Sequence, residues 1–209
     1  MMQLIYRLSA VVFLCSVLGY LNAEEVFKHK DWLVATYPDD SKYIKYSTHG
    51  TAVWGHEFGF LKTVGDCKAD NIYVSWSSTK DINQLKRMES KKVLFELGPD
   101  DNFEFQFAIP NLAVTHLIGS NEYFEIPNPL NVMLFTNYFP KYTFLPTLEA
   151  GRKISVNVSN QDPHHGNFDI PDDQFSLEGY IAARQYAMEL CEMRTKALEI
   201  KDQYKVTMR

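Results

Sequence analysis

The residues with the clearest capacity for chemistry fall in one stretch, Asp162-Pro163-His164-His165-Gly166-Asn167-Phe168-Asp169, followed by Asp172-Asp173. Imidazole nitrogens and carboxylate oxygens are ligands for divalent metals, so Asp162, His164, His165 and Asp169 form a candidate metal set. A second reading competes with this one. Adjacent histidines on an extended chain point to opposite sides, and Pro, Gly, Asn and Asp are the usual ingredients of a surface turn. The sequence favours a polar loop over a metal site.

A second group is His49, His56 and Glu57, which flank a hairpin. A histidine held by a carboxylate can move protons. The alternative is a set of turn and strand-surface side chains. Tyr138, Phe139, Tyr142 and Phe144 crowd around Pro140. Exposed, they would make a contact patch for a peptide, glycan or lipid; buried, they would be core. The core reading has the stronger case. There is no Gly-x-Ser-x-Gly, no P-loop and no Gly-x-Gly-x-x-Gly. No catalytic residue and no cofactor are therefore expected.

The elements that must position these residues are mostly strands. Alternating apolar residues at Ile72, Val74 and Trp76, at Phe103, Phe105, Phe107 and Ile109, and at Ile154, Val156 and Val158 have a period of two. That period marks strands with one buried face. Further strands are expected at 32–37, 43–47, 51–64, 93–97, 113–118, 123–126 and 132–137, separated by Gly, Pro, Asn and Asp turns. Asp81 is placed to cap a short helix through Met88. From Ser176 the spacing changes to threes and fours through Leu177, Tyr180, Ile181, Ala187, Met188, Cys191 and Leu198, which predicts an amphipathic helix over about 176–202. The expected fold class is α+β: a mainly antiparallel β-sandwich or partly open barrel with a long C-terminal helix packed on it.

The first residues read differently. Arg7 precedes an apolar stretch from Leu8 to Tyr20, and Leu21-Asn22-Ala23 leads into Glu24-Glu25. A positive start, a short apolar core and a small residue at the cut form a secretory signal, with cleavage expected after Ala23. The apolar core is shorter than the ~20 residues needed to span a bilayer. The expected organisation is a signal at 1–23 and a single domain at 24–209, working in the periplasm or outside the cell.

Of the 209 residues, 21 are Lys or Arg and 26 Asp or Glu. Removal of the signal takes away only Arg7, leaving a net charge of −6. Mild acidity without a basic run argues against nucleic acid. No later segment is long and apolar enough to cross a membrane. A protein or envelope partner is compatible with this composition. The exported chain keeps two cysteines, Cys67 and Cys191. Two cysteines in an oxidising compartment most often pair, and free buried thiols are the alternative.

One stretch resembles a known family. Phe175-Ser176-Leu177-Glu178-Gly179-Tyr180-Ile181-Ala182-Ala183 resembles the closing Ser-Leu-x-Gly-Phe-x-x-Ala segment of the invasion-associated locus B family. Leu145 to Lys153 is similar to that family's leucine and Gly-Lys lead into its last strand. Asp31-Trp32-Leu33-Val34 is similar to its opening Asp-Trp-x-Val. The resemblance implies a small secreted bacterial β-rich domain of non-enzymatic role, linked in some members to host-cell invasion. It brings no catalytic residues. The chain departs from the pattern in having fewer cysteines than many members and a helix that continues well past the motif.

Overall fold

The computed structural model describes residues 24–37, 40–53, 55–99, 102–117, 130–138 and 141–207. In chain order the elements are β1 (Glu24–His29), β2 (Trp32–Tyr37), β3 (Asp40–His49), β4 (Glu57–Thr63), β5 (Asp66–Ser78), α1 (Ile82–Lys86), β6 (Lys92–Pro99), β7 (Phe105–Leu117), β8 (Leu130–Tyr138), α2 (Lys141–Ala150), β9 (Lys153–Val158), a 3-10 turn (His165–Asn167), β10 (Asp172–Ser176) and α3 (Tyr180–Thr207). The strand expected at 123–126 lies outside the described residues.

The strands form one antiparallel order, β1-β2-β3-β4-β5-β8-β7-β6-β9-β10. β7 makes the corner. Its first half pairs with β6, up to Lys92 opposite Pro110. Its second half pairs with β8, from Asn111 opposite Phe135, with a register shift between Asn111 and Ala113. A bulge there inverts the alternation: Ile109 is buried before it and Val114 after it. The proline sits beside the irregularity, where a missing N–H costs least. That phase change explains why the sequence reads as two strands, 103–109 and 113–118, where the fold has one.

Bent at β7, the sheet brings its halves face to face. Phe95 of β6 meets Phe135 of β8 edge-on at 5.0 Å, and Phe175 of β10 lies 5.7 Å from Phe58 of β4. Trp76 of β5 joins them, 6.0 Å from Phe95. β10 folds back beside the end of β3, where Gly50 bridges to Phe175 and Thr51 N–H donates to Gln174 C=O at 2.9 Å, yet the sheet does not close. The architecture is one ten-stranded antiparallel sheet, not closed, with the C-terminal helix packed on it, which agrees with the expected α+β class of sandwich or partly open barrel.

α3 packs on β1 to β5. Tyr180, Ala183, Ala187 and Cys191 are buried at spacings of three and four, one helical face. Tyr180 meets Trp32 edge-on at 5.0 Å, and Tyr186 stacks on Phe27 at 4.4 Å. Cys67, at the start of β5, stands at bonding distance from Cys191, with Cα atoms 5.6 Å apart. The pair closes a loop of 124 residues and ties the helix to the β4–β5 hairpin. Beyond it, residues 196–200 are exposed on every side, including Leu198 and Ile200. Among the described residues, no helix is long and apolar enough to cross a membrane.

The helix starts later than the sequence suggests. Ser176 ends β10, and a turn at 177–179 follows. Gly179 has φ +101°, and a Cβ there would overlap the His29 carbonyl oxygen. Glycine thus serves the turn before the helix, where both the left-handed backbone and the close approach exclude a side chain.

Beneath α3 lies a buried ionic network. Lys62 Nζ donates to Asp70 Oδ1 at 2.6 Å and to Cys67 C=O at 3.0 Å. Tyr46 Oη donates to the same Asp70 oxygen at 2.8 Å. Arg184 of α3 approaches Asp70 Oδ2 at 3.8 Å and bonds Glu149 of α2 at 2.8 Å. Burial, reinforced by the Asp70 charge, pushes the Tyr46 hydroxyl well above its ordinary range, so it stays a donor.

Candidate binding groove at the sheet seam

The metal candidates do not converge. Asp162 spends both oxygens on backbone N–H groups, Oδ2 on Leu94 and Oδ1 on His164, each at 2.7 Å. Asp169 accepts from the Ser78 and Thr79 hydroxyls at 3.2 and 2.8 Å. Burial opposes its charge, but these donors, the Thr79 N–H and Lys80 hold its carboxyl below the usual range. Among the described residues, no group of three or more His, Cys, Asp or Glu is arranged to hold a metal ion. The loop instead plugs the end of the sandwich. Phe168 is buried against Phe95 and Phe135, and Trp76 Nε1 donates to Ile170 C=O at 2.7 Å.

The aromatic cluster divides. Phe144, on α2, is fully buried, edge-on to Phe105 at 4.9 Å and to Phe107 at 5.9 Å. It is core, held by geometry that aromatic pairs favour. Tyr138 ends β8 and Tyr142 lies in α2. Phe139 lies outside the described residues.

His56 and Glu57 are also separated. Neighbours on an extended chain face opposite ways, and these two do. Glu57 turns to one side, where Lys45 Nζ reaches its two oxygens at 2.7 and 2.9 Å and Ser47 Oγ donates at 2.6 Å. Burial opposes the Glu57 charge, but Lys45, Ser47 and His49 outweigh it and hold the carboxyl below the usual range. His49 stands opposite Glu57 in the β3–β4 register.

His56 turns to the other side and is fully buried. Its ring stacks on Trp76 at 4.1 Å, its Nδ1 lies 3.0 Å from Asp173 Oδ2, and its Nε2 lies 3.4 Å from Ser77 C=O. Asp173 also accepts the N–H of Ala52 at 2.8 Å, Val53 at 3.0 Å and Gln174 at 2.7 Å. Burial alone would favour the neutral acid; the His56 bond and these three N–H groups hold the carboxyl below its ordinary range instead. A histidine–carboxylate pair can do acid–base work, but this one is sealed between β10 and Trp76. Its effect is mechanical: it pins residues 50–53 onto β10.

That latch shapes a groove. Trp32 Nε1 donates to Ser176 C=O at 2.8 Å, and Asp31 N–H donates to Glu178 C=O at 3.3 Å. The β1–β2 turn, the end of β3, the β9 turn and β10 therefore meet at one place. Two depressions open there, of about 560 and 480 Å³, and they share Thr51 and Ser176. The first is walled by Gly151, Arg152, Lys153 and Gln174. The second is walled by Lys28, Lys30, Asp31, Leu33 and His49. Phe175 is the aromatic residue of the lining, and it is fully buried. Four lining residues are Lys or Arg and one, Asp31, is acidic. On a chain that is acidic overall, this is a local inversion of charge.

Each wall comes from a different part of the sequence, and none is a motif. Local reading finds Lys28, Lys30, Arg152 and Lys153 as scattered surface cations. Only the antiparallel order and the latch bring them together. No family model, no curated protein and no solved structure matches this chain.

Proposed function

We propose that this chain is an exported, non-enzymatic binding module, working in the periplasm or outside the cell and contacting a protein or envelope partner. The observation that carries the reading is the pair of depressions at the seam that share Thr51 and Ser176. Their walls are strands and turns held by buried bonds, and rigid scaffolds of this kind position recognition surfaces well. Export is supported by the three-part leader and by the Cys67–Cys191 pair, which suits an oxidising compartment. The resemblance to the invasion-associated locus B family points the same way, toward a secreted β-rich domain without catalytic residues.

A second reading draws on α3. Its end projects from the body with Met193, Leu198 and Ile200 exposed, which would suit a structural component of an envelope assembly. A metal-dependent enzyme built on His164 and His165 has less support, because the carboxylates beside them are engaged in the loop's own hydrogen bonds.

Fractionation of the native host, followed by N-terminal sequencing, tests the reading. A chain beginning at Glu24 in the periplasmic or extracellular fraction is expected. A cytosolic chain retaining residues 1–23 would overturn it. Elemental analysis of untagged protein separates the enzyme reading: stoichiometric metal lost on replacing both His164 and His165 would favour the enzyme.

A further inference from the structure

We infer that the seam groove takes a short acidic peptide segment of a partner protein, an inference that rests on the binding-module reading above. The cations stand on both sides of the shared residues Thr51 and Ser176. Arg152 and Lys153 line one depression, and Lys28 and Lys30 the other. An acidic residue placed at either end would meet a basic side chain, while Thr51, Gln174 and Ser176 between them offer hydroxyl and amide partners for a peptide backbone. Basic clusters in a polar groove are a recurring way to read acidic segments.

Three features favour this ligand over other anions. Lys30 Nζ reaches Glu178 Oε2 at 3.3 Å and Lys153 Nζ reaches Gln174 Oε1 at 3.1 Å, both at the groove itself. The cations thus already engage side-chain carboxylate and amide oxygens, the groups an acidic peptide carries. The larger lining ring, Phe175, is buried and the exposed His49 imidazole stands alone, so the lining residues offer no aromatic platform for a sugar face or a run of bases. Finally, the chain is acidic outside the groove. A long polyanion would extend past the basic walls and meet repulsion, whereas a short segment keeps its charge within about one Debye length of the cations.

The test uses the disulfide-bonded chain from Glu24 to Arg209 and a fluorescent oligoglutamate peptide, read by anisotropy. Binding is expected at about 50 mM salt and loss of most of it at about 500 mM. The double variant Lys28→Glu, Arg152→Glu should bind about tenfold more weakly, and the single variant Arg152→Gln measurably more weakly. Both sites are exposed, and thermal midpoints check that the fold is retained. Lys91→Glu with Lys92→Glu, exposed residues of another surface, should leave binding unchanged. No binding by the wild-type chain, equal binding by the groove double variant, or a heparin fragment binding more tightly than the peptide would overturn the inference. Its failure in an exported, disulfide-bonded protein would leave the binding-module reading standing. A chain found reduced in the cytosol would remove that reading itself.

Discussion

His56 Nδ1 and Asp173 Oδ2 lie 3.0 Å apart although 117 residues separate them in the chain. Both side chains are buried, and the contact joins the β3–β4 connection to the last strand. Together with the Gly50–Phe175 bridge, the Thr51–Gln174 bond and the N–H bonds of Ala52 and Val53 to Asp173, it holds the end of β3 against β10 and shapes the groove.

Replacing His56 by Ala should cost about 2–4 kcal/mol, measured as the shift in urea-unfolding free energy. The loss combines a cavity against Trp76 with the lost contact to Asp173 Oδ2, which then keeps only the Val53 N–H. Asp173→Asn keeps the shape but sets an NH2 donor against backbone N–H groups that the carboxylate accepts, so a loss of similar size is expected. Equal stability of His56→Ala and wild type would contradict the latch.

Acid should weaken the fold in a defined window. Asp173, Glu57 and Asp169 all have carboxyls held below their ordinary range. The unfolded chain therefore binds protons first as pH falls, and the folded state loses its advantage. The stabilisation is complete above about pH 5, the upper edge of ordinary carboxylate titration, and declines through and below about pH 4. Unfolding free energies across pH 3–7 should show this slope, and Asp173→Asn should flatten it.

Lys62→Met should be among the most destabilising single changes, by about 3–5 kcal/mol, because it removes the buried ammonium paired with Asp70 and leaves that carboxylate with weaker compensation from Tyr46 and the more distant Arg184. The double variant Lys62→Met, Asp70→Leu should recover part of the loss. Thermal unfolding of the three proteins checks the order; a double variant weaker than Lys62→Met would contradict the pairing.

Opening the Cys67–Cys191 pair should cost about 2–5 kcal/mol, as expected for a cross-link closing a long loop. The effect should concentrate on α3, which packs on one sheet and continues beyond it. Hydrogen exchange of the reduced protein should accelerate along α3 before it does in β5 and β6. Uniform acceleration would show that the cross-link does not act through the helix.

Much of the framework is legible locally. Ile154, Val156 and Val158 alternate, and they form β9 with their side chains buried. Asp81 does cap α1, its carboxylate accepting the N–H of Asn83 and Gln84. Cys191 lies on the apolar stripe of α3 and faces Cys67. What escapes is non-local or irregular. β10 carries one large apolar residue, Phe175, and Asp172 and Asp173 read as a continuation of the polar loop. Asp173 is buried only because His56 and three N–H groups surround it. α2 contains Pro146, which argues against a helix interior, and its burial of Phe144, Leu145 and Leu148 compensates. The groove draws on four separate segments, so no window of sequence contains it.

The intact mass of the non-reduced native polypeptide tests the central claim most directly, because export and the covalent tie of α3 to the sheet are both recorded in it. The mass should correspond to Glu24–Arg209 less the two hydrogens lost in joining Cys67 to Cys191. A mass matching the chain from Met1 with both thiols intact would contradict the account.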